Sequence, residues 1–298
     1  LEFSSDITVS EETLKGLIAL NNPNYKGSNR SLNTSLESST TDRLTDYGYK
    51  SNKTGFSVGS GFEFYDDLYW NTGISSYIDK LETNSSASAT MKKQEGSYFD
   101  TFFNQTFNYD KRNQRYKTTD GFISRFTQNI PIISDTYTLT NSYDYKTYNQ
   151  WLGENILSLG FYLKSTNSLN GEDVKLSDRL YLPSSKLRGF ESGKVGPKDG
   201  ASFIGGNYLS SMNIATTLPQ VLPSLQNTNF SLFLDAANIW GIDYSSTLSD
   251  ESKIRSSIGI AVDFYTPIGP LNFSLSEVIT KGNNDTKEFF RFNLGTTF

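Results

Sequence analysis

The sequence has no cysteine and no histidine among its 298 residues. Those absences exclude a thiolate nucleophile, a disulfide framework, an ordinary zinc site and the commonest general acid–base side chain. A Ser-His-Asp arrangement cannot be assembled, and no G-x-x-x-x-G-K-[ST] stretch is present, so neither that hydrolytic chemistry nor nucleotide use is expected. Charge is also short on one side: Lys+Arg 27 stand against Asp+Glu 32, a formal charge of −5, with no basic block. A nucleic-acid partner would need such a block to release counterions, so none is expected. No run of apolar residues approaches the roughly 18 that a membrane-spanning helix requires. The chain is read as no enzyme, with no cofactor and no metal.

What is present is aromatic and hydroxylic. There are 21 Phe, 18 Tyr and 3 Trp, and this mixture with abundant Ser, Thr and Asn favours strands over helices. Reading for period two, segments of about ten residues alternate apolar and polar and close on turn clusters. Phe56, Val58, Phe62 and Phe64 share one face opposite Ser57, Gly59, Gly61 and Glu63, and residues 65–67 turn the chain. Residues 68–79 put Leu68, Trp70, Ile74 and Ile78 on one face; Phe99, Phe103, Phe107 and Tyr109 form another, and Leu157, Leu159, Phe161 and Leu163 a third. Further runs begin near Leu1, Leu14, Ser31, Gly121, Thr136, Asn207, Asn229, Ile254, Leu271 and Glu288. The sum is about fourteen strands, each long enough to cross a bilayer at a tilt.

The polar face decides where the apolar face goes. It carries Gly, Ser, Thr and Asn with isolated charges such as Arg125, Asp235, Asp263 and Arg291. Such residues suit the hydrated lumen of a closed barrel whose apolar face meets lipid, better than the inner face of a soluble sandwich. The expectation is all-β: one antiparallel transmembrane β-barrel domain over residues 1–298.

Connections alternate in length as barrel ends do, with short links at 65–67, 150–154 and 266–270 and longer ones at 40–53, 82–96 and 243–253. The stretch 110–120 reads as charged and turn-like. One connection, about 165–206, is far longer than loop priors allow without a function. At the carboxyl end Phe290, Phe292, Leu294, Thr296 and Phe298 share a face of a last strand, 287–298, that stops on an aromatic. A terminal aromatic at this spacing resembles the sorting signal of bacterial outer-membrane proteins, with its ring in the interfacial belt.

The long connection holds Lys186-Leu187-Arg188-Gly189-Phe190, then Val195-Gly196-Pro197, then Gly205-Gly206-Asn207. With Phe233-Leu234-Asp235 leading to Trp240, Ser257-Ile258-Gly259, and Tyr265-Thr266-Pro267-Ile268-Gly269-Pro270, these motifs resemble the BamA family of outer-membrane assembly factors. The resemblance is specific from about Leu180 and looser, but in register, from Lys53 onward. It implies a sixteen-stranded barrel with an Arg-Gly-Phe/Tyr motif in a long extracellular loop folded into the lumen. Arg188, Gly189 and Phe190 match that motif, and Asp235 matches one of its inward carboxylate partners. A glutamate found in relatives on the preceding strand is replaced here, on this reading, by Ala215. The visible strands correspond to the last fourteen, so the first two strands and the periplasmic POTRA repeats are expected to be missing from this stretch.

The implied function is the folding and insertion of other β-barrel proteins into the bacterial outer membrane through a barrel seam, with one gatepost at the terminal strand. Implied partners are unfolded outer-membrane clients, periplasmic accessory lipoproteins and outer-membrane lipid. Other readings stay open at this point: a two-partner secretion or autotransporter-assembly relative, a passive diffusion porin, or a secreted β protein. Asn170, Glu172, Asp173 and Asp178 crowd the long loop without EF-hand spacing and read as solvated acids rather than a calcium site. Trp70, Trp151, Trp240, Phe264 and Tyr265 read as interfacial girdle. Gly189 and Gly269 are assigned to close backbone approach and turning.

Overall fold

The computed structural model describes every residue except Glu11, Tyr116, 219–226, Ser246, Ser249, Glu251, 267–268 and 295–298. The expected end of the last strand, from Gly295 to Phe298, therefore lies outside the described residues.

Fourteen strands form one continuous antiparallel sheet. In chain order they are β1 (Glu2–Val9), β2 (Thr13–Asn22), β3 (Ser31–Arg43), β4 (Tyr49–Tyr65), β5 (Leu68–Thr83), β6 (Gly96–Asp110), β7 (Gly121–Ser134), β8 (Thr138–Leu152) and β9 (Asn155–Ser168). After the long loop follow β12 (Tyr208–Thr217), β13 (Thr228–Trp240), β14 (Arg255–Thr266), β15 (Gly269–Thr280) and β16 (Phe290–Leu294). Within that loop, β10 (Lys198–Asp199) and β11 (Ser202–Phe203) make a separate small hairpin. Each strand of the large sheet pairs with its chain neighbours, so β9 meets β12 across the loop, and β1 and β16 are the two edges.

The period-two pattern maps onto the two faces of this sheet. Phe56, Val58, Phe64, Ile74, Ile78, Leu163, Leu232, Leu234, Ile258 and Ile260 are exposed on the outer face, while Ser75, Asp79, Ser211, Asp235, Ser257, Asn272 and Ser274 are buried on the inner one. This is the inverse of a soluble protein and the form that a lipid-facing wall takes. Among the described residues, no helix is long and apolar enough to cross a membrane.

Inside the curve of the sheet, the hydrophobic core is made largely by the long loop, residues 169–207. One cluster gathers Tyr47, Tyr49, Leu81, Met91, Leu176, Phe203 and Ile204; the other gathers Leu180, Leu182, Leu187, Phe190, Val195, Leu209 and Ile239. Both lie at the end of the lumen from which the loop springs.

Two stretches differ from expectation. The link expected over 40–53 is only residues 44–48, because Thr40↔Asn52, Thr41↔Ser51 and Asp42↔Lys50 still pair in the β3–β4 ladder. These polar rungs lose alternation, as a hairpin does where it leaves hydrocarbon for water, and so read as loop. The stretch read as turn-like, 110–120, falls on the connection between β6 and β7, residues 111–120, at the opposite end of the barrel, long where a tight turn is the norm, whereas Asp66 and Asp67 alone join β4 to β5 with Asp67 at φ 62. The second difference is at the carboxyl end. The last strand was expected from Lys287, but β16 starts at Phe290, and Lys287 bridges Phe190 of the long loop.

Candidate functional site

The Arg188-Gly189-Phe190 segment folds into the lumen and is buried on all sides. Arg188 is 5% exposed and Asp235 is wholly enclosed. The guanidinium donates from Nε to Oδ2 and from Nη2 to Oδ1 of Asp235, both at 2.7 Å, and the Arg188 backbone N–H donates to Oδ2 at 3.1 Å. A forked pair of this kind fixes both distance and plane. The Arg188 guanidinium carbon also lies 3.5 Å from the centre of the Phe233 ring, the inward neighbour of Asp235 on β13.

Asp235 is held from the adjoining strand as well. Asn213, its register partner on β12, donates from Nδ2 to Oδ1 at 2.9 Å and to the Lys186 carbonyl at the same distance. The expectation placed Ala215 there, but Ala215 pairs with Phe233, two residues along the ladder. The second polar hand on the preceding strand is therefore an amide, which satisfies the carboxylate without adding charge.

Gly189 adopts φ +87, and a Cβ built there would stand 3.1 Å from Ser257 Cβ and 3.2 Å from Ser276 Cβ. A side chain would be crowded as well as strained, so the motif's glycine lets the loop backbone lie against β14 and β15. There Ser257 donates its hydroxyl to the Arg188 carbonyl at 2.5 Å.

Phe190 ties the loop to the terminal strand. Its ring is buried in the second cluster, while its carbonyl accepts from Arg291 on β16 at 2.9 Å. Glu288 N–H donates to the Gly189 carbonyl at 2.9 Å, and Glu191 N–H to the Thr286 carbonyl at 3.0 Å. Residues 286–288 thus pair with the loop, and among the described residues β16 is in register with β15 from Leu275↔Phe290 to Leu271↔Leu294, with the Ser276 N–H donating to the Phe289 carbonyl just before it at 2.9 Å. Phe290 and Phe292 are half exposed on the outer face, as alternation predicts.

Sequence reasoning missed further ionic anchors of the loop, among them three made by residues without a motif around them. Lys175 is buried and reaches Asp79 on β5 at 2.9 Å, with Asp100 on β6 and Asp178 each at 3.5 Å. Burial pulls this ammonium down, but Asp178, Asp79 and Asp100 together hold it above its ordinary range. Asp178, read as a solvated acid, is in this cluster; among the described residues no group of acids forms a metal-ligand set. Arg179 pairs with Asp243, which also accepts from Asn207 Nδ2 at 2.8 Å and from the Val174 N–H at 2.9 Å. Arg255 and Asp285, both fully enclosed, pair at 2.9 Å, and Asp285 takes the Gly196 N–H at 3.0 Å. The available signal was parity: Asp79, Asp100 and Arg255 sit at inward positions, where a charge needs an opposite partner.

Across the lumen the loop also meets residues 44–48. Tyr47 donates its hydroxyl to the Ser192 carbonyl at 3.0 Å, and burial raises that hydroxyl to about 12. Lys194 reaches Asp46 and Glu191, each at 3.0 Å. Of the girdle residues, Trp70 stacks on Phe107 with ring centres 5.7 Å apart, and Trp240 on Tyr208 at 5.8 Å. Tyr265 is the exception. It follows Phe264 directly, so alternation turns it inward, where it lines the lumen and accepts from Asn229 at 3.3 Å.

A loop that leaves one wall, fills one end of the lumen and pins an Arg-Gly-Phe motif to an inward aspartate is the geometry that the sequence motifs foreshadowed. The Omp85 superfamily domain matches residues 2–298. The chain belongs to the Omp85 superfamily. Among its relatives, the outer membrane protein assembly factor BamA of Neorickettsia risticii is 21% identical over 257 residues, covering 84% of this chain and 34% of that protein. The sorting assembly machinery 50 kDa subunit of Saccharomyces cerevisiae is 25% identical over 226 residues, covering 71% of this chain and 46% of that one. The crystal structure of BamA from Haemophilus ducreyi lacking POTRA domains 1–3 superimposes with a TM-score of 0.86 at 23% identity, over 97% of this chain and 63% of that one. The CdiB structure from Acinetobacter baumannii matches at 0.55 and 12% identity over the same 97%. The fold is thus the Omp85 barrel wall, and the chain spans about a third of the length of the N. risticii relative. Superfamily and lipid-facing band together assign it to the bacterial outer membrane.

Proposed function

We propose that this chain is the barrel portion of an outer-membrane assembly factor that folds and inserts client β-barrels, acting in a complex and breaking no covalent bond. An incoming chain carries backbone donors and acceptors that are expensive to leave unpaired in hydrocarbon. A strand edge can satisfy them while the client adds its own strands, and the client's burial of its apolar band supplies the free energy. On this reading Phe290, Phe292, Leu294 and Phe298 belong to the edge strand and its terminal signal, and Arg188, Gly189, Phe190 and Asp235 lock the loop that steadies it. Residues 1–298 act as one barrel domain, completed by two further strands and periplasmic repeats elsewhere in the protein, with accessory lipoproteins on the periplasmic side.

The observation that carries this reading is the double attachment of the motif. Arg188 is fastened to the wall at Asp235, and Phe190 to the terminal strand at Arg291. A passive porin needs no such coupling between plug and last strand.

The experiment is complementation of a depletion strain by the full-length gene. Deleting Arg188-Gly189-Phe190 should abolish growth and lower the levels of other outer-membrane proteins. Unchanged levels of those proteins would overturn the assembly reading. Steady large conductance in planar bilayers, insensitive to Arg188 substitution, would favour a porin instead.

A further inference from the structure

The half of the lumen away from the long loop is left open by it. There a hydrated cavity of about 670 Å3 is roofed by Ser185, Lys186 and Arg188 on the loop's underside. A neighbouring hollow of about 530 Å3 along β5–β7 shares Arg115 and Arg125 with it. From the β6–β7 connection the cavity is lined by Arg112, Arg115, Lys117 and Thr118, and the Lys117 ammonium lies 4.5 Å from the centre of the Tyr265 ring on β14.

The charge of this basin is opposite to that of the chain. Arg112, Arg115, Lys117, Arg125, Lys146 and Lys186 line it, whereas the carboxylates among its described lining residues are Asp144 and Asp263. Asp144 takes Lys186 at 2.9 Å, and Asp110, just outside, grips Arg112 through two bonds of 2.8 Å. Counting Arg188 of the roof, and adding its partner Asp235 and Asp110 on the other side, seven cations still face four carboxylates in a molecule of net charge −5. A cleft of one sign between low-dielectric walls focuses the field and concentrates the opposite charge. The rest of the lining consists of amides and hydroxyls such as Asn213, Asn229, Asn272 and Ser231, which can both donate to and accept from a peptide backbone. A lipid phosphate brings acyl chains that this polar lumen does not accommodate.

We propose that the basin binds an acidic segment of an unfolded polypeptide, with its carboxylates at Arg115, Lys117 and Lys146 and its backbone along the amides. The inference rests on the assembly reading for the identity of that polypeptide as a client, but not for the binding itself. The bound segment would lie under the Asp235-anchored loop and be held mainly by charge.

The test uses the full-length protein in lipid nanodiscs and a fluorescein-labelled Glu/Ser peptide, with anisotropy as the readout. The Glu/Ser peptide is expected to bind, to weaken as salt rises, and to bind about tenfold more weakly to Arg115→Glu/Lys117→Glu. Lys80→Glu, on a strand end near the loop side, should leave the affinity unchanged. The Arg115→Gln/Lys117→Gln pair gives the same comparison with a milder change, and heat-modifiable gel migration verifies that each variant is a folded barrel. Equal binding by the folded double variants, equal binding of a Lys/Ser peptide, or displacement by inorganic phosphate at matched charge would each overturn the proposal. Complementation is scored in parallel. Lost peptide binding with intact growth rescue in the Arg-Gly-Phe deletion assay bears on each reading separately: no peptide binding by the wild type overturns the basin, and rescue by the deletion overturns the assembly function.

Discussion

The two ends of this lumen are built from the same strands and behave as different materials. At the loop end the inward positions include Leu81, Leu209, Phe233, Ala237 and Ile239, all buried under residues 169–207. Charges there are enclosed and matched, as in Arg188 with Asp235 and Arg255 with Asp285. At the other end the inward positions are Asn71, Thr106, Thr127 and Arg125, which face water. A strand in this protein is therefore polar inside only where its inner face stays wet. Where the loop covers it, the inner face turns apolar and the remaining charges acquire partners.

That contrast predicts a gradient of mutational cost. The largest effect is expected from Asp235→Ala, which strands Arg188 without its partner in a dry site. Such a loss costs about 3–5 kcal/mol, read as a lower unfolding midpoint and faster proteolytic nicking within residues 169–207. Replacing both partners together, as Arg188→Met with Asp235→Leu, should cost clearly less than either single change, and equal cost would show that the end is not dry. Gly189→Ala comes next, at about 1–3 kcal/mol for a side chain forced to positive φ, detected by the same melt. Ser257→Ala should cost about 1 kcal/mol, the net worth of its hydrogen bond to the Arg188 carbonyl.

A pH effect of smaller size follows from Asp243, in the β13–β14 connection. Burial alone would raise its carboxyl, but Arg179 and the Val174 N–H outweigh burial and hold it below the ordinary 3.8. A depressed value adds stability that is complete above 3.8 and is lost as pH falls through the lowered value. The outer part of the loop should thus resist pepsin at pH about 4 and loosen only in stronger acid. Loosening at pH near 6 would contradict the pairing. The smallest effect belongs to the wet end, where Thr127→Ala should change the midpoint by no more than about 0.5 kcal/mol; a large loss would erase the contrast between the two ends.

Much of the wall was readable in the residues. Alternation in β4, β5, β9 and β13 announced which side meets lipid, because a strand one residue out of register would put Phe56 and Leu232 in water-filled space and Ser57 and Ser231 in hydrocarbon. The Arg188 to Asp235 contact was legible through the resemblance and the parity of Asp235. The rest was written in long-range partners that no local pattern encodes. Lys175 has no motif and acquires its meaning from Asp79 and Asp100 on two distant strands. Asn213 was overlooked because its role depends on ladder register, which the sequence leaves undetermined by two residues. Hairpin rungs such as Thr40↔Asn52 escaped because polar residues on both faces carry no periodic signal.

The backbone of residues 286–288 has a consequence for length. The Thr286 N–H and carbonyl and the Glu288 N–H are engaged by Lys194, Glu191 and Gly189, while Phe289 turns its carbonyl to the Ser276 N–H of β15, so the loop occupies the edge of this segment that faces away from β15. The inserted loop works as a ruler on that outer edge, setting where the backbone left for another chain begins.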